Sequence, residues 1–336
     1  MRFIVYGAGG IGGPLGLFLA ETGADVVLIA RGEHLRRLQA DGLTVHAGDG
    51  SRTVKVPAVS HPRELEPGAA DVVALTMKTQ DTEGALRDLQ ASGFDPWTTP
   101  IFCVQNGVAN ERISTRYFAH VYGVMIVIPG IHVEPGIVYN PISGNHGYMD
   151  VGRYPGGVDD LAEAFVAAVR KADYAANAHA DVMAPKGAKL LTNLGNAMGA
   201  ITDGRGDEKA YMEQVYAEAR ACLTAAGLPF EDEAQWNDRV KASRGTNVTL
   251  EGLPPGNRGS SWQSLTRGQG SIEADFLNGE VTLHGRKHGI PTPYNDVLQR
   301  VANEMARLRR RPGLYTVEQL TEMALERGRT GRPSAP

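Results

Sequence analysis

The feature that most constrains the fold of this chain is a run of glycines directly after its first apolar stretch. The stretch Arg2-Phe3-Ile4-Val5-Tyr6 predicts a buried strand, and Gly7-Ala8-Gly9-Gly10-Ile11-Gly12 follows it at once. This spacing is typical of a strand that turns tightly into a helix whose free N–H groups bind a pyrophosphate. The sequence therefore predicts a dinucleotide-binding unit, and the alternative is a glycine-rich turn without a ligand. The residues expected to contact the dinucleotide are Gly7, Gly9, Gly10, Ile11 and Gly12.

The rest of the first half alternates short apolar runs with helical patterns. The runs at residues 3–6, 26–30, 72–76 and 101–104 predict strands that are buried on both faces. Helical patterns at 15–20, 34–40 and 82–89 lie between them. This alternation predicts a doubly wound α/β sheet, the Rossmann fold. Between residues 122 and 151, Pro-Gly and Ser-Gly-Asn turns predict antiparallel hairpins that close the sheet, and a helix is expected at about 159–172.

The second half of the sequence lacks the strand pattern from about residue 184. Pro185 suits the first turn of a long helix that we expect to reach residue 201, and helical patterns follow at 208–226, 230–242, 271–278 and 292–310. The segment 251–260 is rich in glycine and proline and predicts a loop. We therefore predict a Rossmann domain over residues 1–178, an all-helical domain over 179–327 and a polar, disordered tail over 328–336.

Composition narrows the classes of protein that this chain can represent. Its 336 residues exceed what one hydrophobic core usually serves, and 42% apolar with 21% charged residues is typical of a globular protein. A net charge of −4 gives no indication of a nucleic-acid partner. No run is long enough to span a membrane, and no signal peptide precedes the first strand. Cys103 and Cys222 lack metal or disulfide spacing, so we expect a cytoplasmic protein.

The end of the second predicted strand indicates which dinucleotide is preferred. Proteins that bind NAD usually place an acidic residue there for the ribose hydroxyls. Here the strand at 26–30 ends in Arg31, and a guanidinium at that position can pair with a 2′-phosphate. Arg31 therefore favours NADPH as the cofactor, and the alternative is a solvent-exposed arginine on a turn.

Several local motifs resemble, in order along the chain, those of the ketopantoate reductase family. They are Ile29-Ala30-Arg31-Gly32-Glu33-His34-Leu35, Met77-Lys78-Thr79-Gln80, Val104-Gln105-Asn106-Gly107-Val108, Lys189-Leu190-Leu191-Thr192-Asn193, Ser260-Ser261-Trp262-Gln263-Ser264-Leu265, Glu273 with Leu277-Asn278-Gly279-Glu280, and Pro291-Thr292-Pro293-Tyr294-Asn295. The resemblance implies a Rossmann domain followed by a helical domain similar to the C-terminal domain of 6-phosphogluconate dehydrogenase.

The resemblance also implies a reaction. NADPH would deliver hydride to the keto carbon of 2-dehydropantoate, which gives pantoate for pantothenate biosynthesis, and a homodimer is compatible with such a chain. Lys189 would be the general acid, with Asn193 orienting the reactants. The implied ligand contacts are Lys78 and Glu273 for the cofactor, Asn106 for cofactor and substrate, and Asn193, Asn196 and either Ser260 or Ser261 for the keto acid substrate.

The chemistry of ketone reduction independently favours this role for Lys189. Hydride transfer builds negative charge on the carbonyl oxygen, so the site needs a proton donor or a cation there. Lys189, Asn193 and Asn196 stand at i, i+4 and i+7, positions that share one face of a continuous α-helix. The alternatives are a surface position for the lysine and helix capping or helix–helix hydrogen bonding for the asparagines.

Two departures from the family pattern bear on the substrate. Ala197 stands at i+8 from Lys189, where the family often has a second asparagine, and Trp262 stands where the serine motif usually has methionine. The leading alternative is therefore an NADPH-dependent reductase of a different keto acid or biosynthetic intermediate. A non-catalytic NADP(H) sensor is a further alternative, which the retention of Lys189 disfavours.

The serine motif leaves its ligand-binding residue open. The spacing to Glu273 fits Ser261, whereas the spacing to Arg267 fits Ser260.

The histidines do not suggest a metal. His284 and His288 have i, i+4 spacing, but Gly285 and Gly289 are expected to interrupt a helix there, and no glutamate completes a zinc-protease motif.

Overall fold

The computed structural model describes residues 1–253 and 259–330. The chain divides into two units, each discontinuous in sequence. Unit 1 comprises Met1–Lys186 and Glu231–Leu253, and unit 2 comprises Gly187–Phe230 and the described residues after 258. The division differs from the boundary predicted at residue 178, because a later segment returns to unit 1. Arg239 in that segment pairs with the buried Asp150 at 2.8 Å, a long-range contact that helical periodicity does not reveal.

The helices and strands are numbered in chain order. The strands are β1 (Arg2–Tyr6), β2 (Asp25–Ile29), β3 (Leu43–Ala47), β4 (Gly50–Val54), β5 (Ala58–Val59), β6 (Asp71–Leu75), β7 (Pro100–Cys103), β8 (His120–Val127), β9 (Ile131–Glu134), β10 (Ile137–Asn140), β11 (Ile142–Ser143), β12 (Tyr148–Arg153), β13 (Ala175–Ala178) and β14 (Thr246–Asn247). The helices are α1 (Gly12–Glu21), α2 (Gly32–Ala40), α3 (Thr82–Ala91), α4 (Asn110–Ser114), α5 (Asp160–Lys171), α6 (Met183–Asn193), α7 (Gly195–Ile201), α8 (Glu208–Ala225), α9 (Glu233–Ser243), α10 (Ser260–Thr266), α11 (Asn278–His288), α12 (Pro293–Arg307) and α13 (Val317–Thr330).

Unit 1 is built on a mixed sheet with the strand order β13-β12-β8-β7-β6-β1-β2-β5. The strands from β8 to β5 are mutually parallel, and β12 is antiparallel to β8. Successive side chains of a strand alternate between faces. Phe3 and Val5 accordingly pack with α1 and α5, while Ile4 packs with Leu86 and Leu89 of α3 on the other face. The predicted doubly wound α/β sheet is therefore confirmed.

The hairpin prediction is correct only in part. β9 and β10 form an antiparallel pair, but they do not close the main sheet. They join β3 and β4 in a second sheet with the order β4-β3-β10-β9, in which β10 runs parallel to β3. The expectation that strands end near residue 184 is wrong, because the short β14 pairs with β11. Local turn residues predict a hairpin, but its sheet is selected by distant partners.

The described part of unit 2 is helical, as predicted, although two helices differ from the prediction. The helix expected to continue to residue 201 ends at Asn193, and α7 begins at Gly195. The helix predicted at 271–278 is a short 3₁₀ turn, Glu273–Phe276, and the longer α11 follows it. The α11 helix continues through Gly285 and ends where Gly289 adopts φ 67°, so glycine stops the helix there rather than preventing it.

The C-terminal prediction is also modified. Residues 328–330 belong to α13, whereas 331–336 lie outside the described residues. Of the predicted loop 251–260, residues 254–258 lie outside the described residues, and Ser260 already begins α10. Across 1–253 and 259–330, none of the helices combines the length and the apolar character that crossing a membrane requires.

Candidate active site

The glycine run forms the tight turn between β1 and α1. Gly7 has φ 109°, a conformation that favours glycine, and its N–H donates to Ile29 O at 3.0 Å. A Cβ on Gly12 would clash with Gly7 O and Thr76 Oγ1, whereas a Cβ on Gly9 would come no closer than 3.7 Å to its nearest described neighbour, His132 Nδ1. The turn thus requires glycine where β1 and α1 pack, and it leaves room beside Gly9.

The remaining residues of the turn are held from a neighbouring segment. Ile11 precedes the first residue of α1, and a Cβ on Gly10 would lie 2.8 Å from Gly130 O. His34 Nδ1 accepts from Gly136 N at 2.9 Å, so we assign the ring proton to Nε2, which donates to Ala8 O at 2.7 Å. Desolvation lowers the pKa of His34, which keeps the ring neutral in this role. In the sequence, His34 stands out only as a member of the motif from Ile29 to Leu35.

Three neighbouring parallel strands end beside this turn. Thr76, which follows β6, donates through Oγ1 towards Tyr6 O and Gly7 O at 2.9 and 2.7 Å. Gln105, which follows β7, donates through Nε2 to Met77 O at 2.8 Å. Lys78 follows Met77 on the first segment, and Asn106 follows Gln105 on the second. Both residues are half-buried. Ligands of open α/β sheets bind at this carboxyl edge, so the structure brings both predicted residues to the expected edge.

The loop that carries Asn106 is fixed by buried polar side chains. Gln105 Nε2 donates to Thr82 Oγ1 at 2.8 Å, and Thr82 Oγ1 donates to Asn110 Oδ1 at 2.9 Å. Asn110 Nδ2 lies 3.1 Å from both Thr79 Oγ1 and Asn106 O. Asn110 and Thr82 are 0% exposed. A buried hydrogen-bond network of this kind rigidifies a loop, although Gln105 Oε1 has no hydrogen-bond partner among the described residues.

A buried ion pair that no sequence motif indicates holds the same loop from its other end. Lys186 Nζ lies 2.9 Å from Glu111 Oε1, and their side chains are 2% and 0% exposed. The ammonium also donates to Gln105 O at 2.7 Å and to Val124 O at 3.2 Å. A Cβ on Gly123 would lie 3.5 Å from Glu111 Oε1 and 2.8 Å from a Val182 methyl group, so this glycine provides close packing around the pair. Burial raises the pKa of the Glu111 carboxyl, and the ammonium opposes that shift.

Arg31 stands where the sequence places it, directly before α2. Its side chain is 86% exposed, and its guanidinium lies 3.7 Å from the carboxylate of Asp81, which follows β6. An exposed pair at this distance contributes little to stability. The guanidinium is thus available at the surface, and Asp81 is the acidic residue closest to it among the ion pairs of the described residues.

The α6 helix carries Lys189 and Asn193 one turn apart on one face. Lys189 is half-buried, whereas Asn193 is 6% exposed and its Nδ2 has no hydrogen-bond partner among the described residues. A buried amide donor without a partner is costly and is unusual in a folded protein. The predicted single face of Lys189, Asn193 and Asn196 is wrong in one respect, since the helix breaks at Leu194 and Asn196 belongs to α7.

Asn196 instead lies against the start of α10. A Cβ on Gly259 would be 2.9 Å from Asn196 Oδ1, and Gly259 directly precedes the two serines that begin α10. Ser261 is 2% exposed and Ser260 is half-buried, and this geometry leaves both serines as candidates. Glu273 is 7% exposed in the 3₁₀ turn that follows. The sequence also allows Arg258, in Gly256-Asn257-Arg258-Gly259, to meet a substrate carboxylate or to lie on the surface, and residues 256–258 lie outside the described residues.

The structure corrects the expectation for the histidine pair. His284 and His288 both lie in α11, with ring centroids 6.4 Å apart, and His284 Nε2 is 3.2 Å from Glu280 Oε1. This distance indicates an intrahelical contact. Within 1–253 and 259–330, no group of three or more His, Cys, Asp or Glu side chains is arranged to hold a metal ion.

The candidate residues fall into two groups. Unit 1 carries the glycine turn, Arg31, Lys78 and Asn106, and unit 2 carries Lys189, Asn193, Asn196, Ser260, Ser261 and Glu273. The residues that the sequence analysis missed, His34, Glu111 and Lys186, act through backbone carbonyls or through each other. Their only sequence signal is proximity to a motif, which does not indicate what a side chain contacts.

Unit 1 has a glycine turn at the carboxyl edge of a parallel sheet, and unit 2 is helical and carries a lysine and buried amides. These features are typical of a nucleotide-dependent oxidoreductase. The model of the family "Ketopantoate reductase PanE/ApbA" matches residues 3–156, and that of its C-terminal domain matches residues 181–306. This chain belongs to the ketopantoate reductase family, and it is an oxidoreductase that acts on a keto group.

Individual relatives agree with this assignment. The 2-dehydropantoate 2-reductase of Archaeoglobus fulgidus is 29% identical over 304 residues, which cover 88% of this chain and 95% of that protein. The crystal structure of a PanE/ApbA family ketopantoate reductase from Ralstonia eutropha matches with a TM-score of 0.76 at 25% identity, over 92% of this chain and 99% of that one. D-mandelate dehydrogenase, solved with NADH and anilino(oxo)acetate, has the same TM-score at 20% identity over the same coverage and shares the fold.

Proposed function

We propose that this protein reduces 2-dehydropantoate to pantoate with NADPH, and that Lys189 is the general acid. The observation that carries the proposal is the polar face of α6. Lys189 lies one helical turn from Asn193, whose buried Nδ2 has no hydrogen-bond partner among the described residues. A bound ligand would supply that partner. Curated relatives named 2-dehydropantoate 2-reductase support the choice of substrate.

The residues of unit 1 fit a nicotinamide dinucleotide. The open position at Gly9 and the N-terminus of α1 would hold the pyrophosphate, and Arg31 would meet the 2′-phosphate. Lys78 and Asn106, at the ends of adjacent strands, would contact the part of the cofactor that lies along the sheet edge. The reduced nicotinamide supplies the hydride, and the chain supplies position and charge.

The residues of unit 2 would act on the substrate. Lys189 would donate a proton to the carbonyl oxygen as negative charge develops there, which is general-acid catalysis. The amide of Asn193 would hydrogen-bond to the reactants and so orient the substrate relative to the cofactor. Asn196, with Ser260 or Ser261 at the start of α10, would bind the substrate's polar groups, and Glu273 would bind the cofactor.

Replacement of the proposed acid tests the mechanism. Lys189→Met should lower kcat by about 10²–10⁴-fold, the usual contribution of a positioned proton donor, with little change in cofactor affinity. The measurement is oxidation of NADPH with ketopantoate, followed by absorbance. Lys287→Met, at an exposed lysine of α11, is the matched control and should retain full activity. Turnover by Lys189→Met at the wild-type rate would remove Lys189 from the mechanism.

Replacement of Arg31 tests the choice of cofactor. Arg31→Ala should raise the KM for NADPH by about tenfold, which corresponds to the loss of one charge-assisted contact, and should leave the KM for NADH unchanged. Arg36→Ala, one turn further along α2 and paired with Glu33, is the control. Equal effects on NADPH and NADH would show that Arg31 does not contact the 2′-phosphate.

A reductase of a different keto acid is the second candidate. Ala197 is 2% exposed, and its methyl side chain offers no polar group where the family often has an asparagine. A panel of keto acids assayed with NADPH separates the two candidates, since rapid turnover of another acid but not of ketopantoate favours the second. NADPH binding without turnover of any acid would favour a sensor. Under either reductase we expect a cytoplasmic enzyme, and we propose a homodimer.

A further inference from the structure

Two sequence motifs singled out by the family resemblance have no place among the proposed ligand contacts. They contain Asn278, at the start of α11, and Asn295, in the first turn of α12. Both asparagines are 0% exposed. A buried amide is costly unless its donors and acceptors are paired. The partners of these two side chains therefore indicate what the motifs do.

The two asparagines contact each other and extend in opposite directions. Asn278 Nδ2 donates to Asn295 Oδ1 at 3.1 Å and to Leu194 O at 3.2 Å. Asn295 Nδ2 donates to Val215 O at 3.0 Å and to Glu218 Oε2 at 2.8 Å. The Glu218 carboxylate also accepts from the backbone N–H groups of Tyr294 and Asn295, each at 3.0 Å, which caps α12. A chain of hydrogen bonds therefore runs from α8 through α12 and α11 to Leu194.

Leu194 is the single residue that separates α6 from α7. Its N–H bonds to Leu191 O at 3.2 Å, so the last turn of α6 is tightened, and Gly195 follows it as the first residue of α7. Leu194 has helical dihedral angles, φ −61° and ψ −27°, and its carbonyl lies at the start of α7. A side chain that bonds to a carbonyl between two helices fixes how they meet. The amide of Asn278 is that side chain here, and it anchors the junction directly after Asn193.

We propose that Asn278 and Asn295 are positioning residues, which hold the junction between α6 and α7 at Leu194 and thereby the orientation of the Asn193 amide. This inference rests on the proposed function, because Asn193 matters only if it binds the reactants. Asn278 and Asn295 touch neither substrate nor cofactor in this scheme. They act through Leu194, whose backbone continues from Asn193.

The chain offers a matched control for this idea. Thr282, also on α11 and 1% exposed, places Oγ1 2.8 Å from Gln299 Oε1 of α12. Thr282→Val therefore removes a buried hydrogen bond between the same two helices without touching Leu194. Asn278→Ala removes the bond to α12 and the bond to Leu194 together. Asn278→Ser is the milder variant, to be used if alanine prevents folding.

The first readout is steady-state kinetics of the full-length enzyme with NADPH and 2-dehydropantoate. Asn278→Ala should lower kcat by about tenfold, a factor that corresponds to about 1.4 kcal/mol in the barrier, with the KM for NADPH changed less than twofold. Thr282→Val should leave kcat unchanged. In the double variant with Asn193→Ala, the loss should not exceed that of Asn193→Ala alone, because both act through one amide. If the loss of kcat in the double variant equals the product of the two single losses, the proposal is overturned.

The second readout does not depend on turnover. Amide hydrogen exchange should accelerate by about tenfold or more in residues 194–198 of Asn278→Ala and of Asn278→Ser, and not in Thr282→Val, because local protection reports local opening. Equal exchange in all three variants would overturn the positioning role. The two proposals can fail separately. If the wild-type protein reduces no keto acid and the variants still show this exchange pattern, the proposed function is refuted and the positioning role of Asn278 stands.

Discussion

The two units hold a backbone carbonyl next to a candidate site residue by different means. In unit 1 a fully buried ion pair, Lys186 with Glu111, holds Gln105 O next to Asn106. In unit 2 a neutral amide, Asn278, holds Leu194 O next to Asn193. A buried charge that loses its partner is stranded, whereas an amide that is removed costs only hydrogen bonds and packing. The two regions should therefore differ in their sensitivity to substitution.

The largest effect on stability is expected in unit 1. Lys186→Met leaves the Glu111 carboxylate buried without a cation and leaves Gln105 O without its donor. Removing one member of a buried pair costs about 3–5 kcal/mol, so the free energy of unfolding should fall by that amount in denaturant titration. Lys171→Met, at an exposed lysine of α5, is the control and should change it by less than about 0.5 kcal/mol.

A double variant sharpens this prediction. Lys186→Met with Glu111→Leu removes both charges, and apolar replacement of a whole buried pair is often neutral. We expect most of the lost stability to return. In both Lys186→Met and the double variant, the KM for NADPH should exceed the wild-type value, because Gln105 O lacks the ammonium that holds it next to Asn106. A double variant as unstable as Lys186→Met alone would show that packing, and not the stranded charge, causes the loss.

A smaller effect is expected in unit 2. Asn295→Ala removes bonds to Val215 O and Glu218 Oε2 and strands the amide of Asn278, so the free energy of unfolding should fall by about 1–3 kcal/mol. The measurement is the same denaturant titration, with Glu304→Ala, at an exposed residue of α12, for comparison. If Asn295→Ala costs as much as Lys186→Met, the contrast between charged and neutral clusters is lost.

The smallest effects should appear in the pH dependence of stability, with opposite signs. Desolvation lowers the pKa of His34, so the unfolded chain binds this proton more tightly and stability rises with pH below the ordinary value of 6.5. Burial raises the pKa of Glu218, so the folded chain binds this proton more tightly and stability falls as pH rises above the ordinary value of 4.5.

Unfolding measured between about pH 4 and pH 8 separates the two contributions. His34→Leu should flatten the rise with pH, and Glu218→Gln should remove the fall. His288→Gln, at an exposed histidine of α11, should leave both slopes unchanged. A steeper rise with pH in His34→Leu would mean that the ring is not held neutral against Ala8 O.

Local sequence determined the elements whose signals are short-range. The apolar runs predicted β1, β2, β6 and β7. The glycine spacing predicted the turn from Gly7 to Gly12, because only a residue without Cβ at Gly12 fits against Gly7 O and Thr76. The junction at Leu194 could not be predicted, since the side chain that bonds to its carbonyl is 84 residues away in sequence. The same holds for the β9–β10 hairpin. Its strand β10 pairs with β3 in the second sheet and not with a strand of the main sheet.

The sequence by itself thus determined the α/β architecture of unit 1, the helical character of unit 2, the family, and the strand-end and helix positions of the candidate residues. Periodicity and glycine spacing act over a few residues and are written directly in the chain. Only the tertiary structure decided that Glu231–Leu253 returns to unit 1, that Lys186 is a buried partner of Glu111, and that Asn278 bonds to the carbonyl between α6 and α7. These features depend on desolvation and on hydrogen bonds between distant segments, which exist only once the chain has folded.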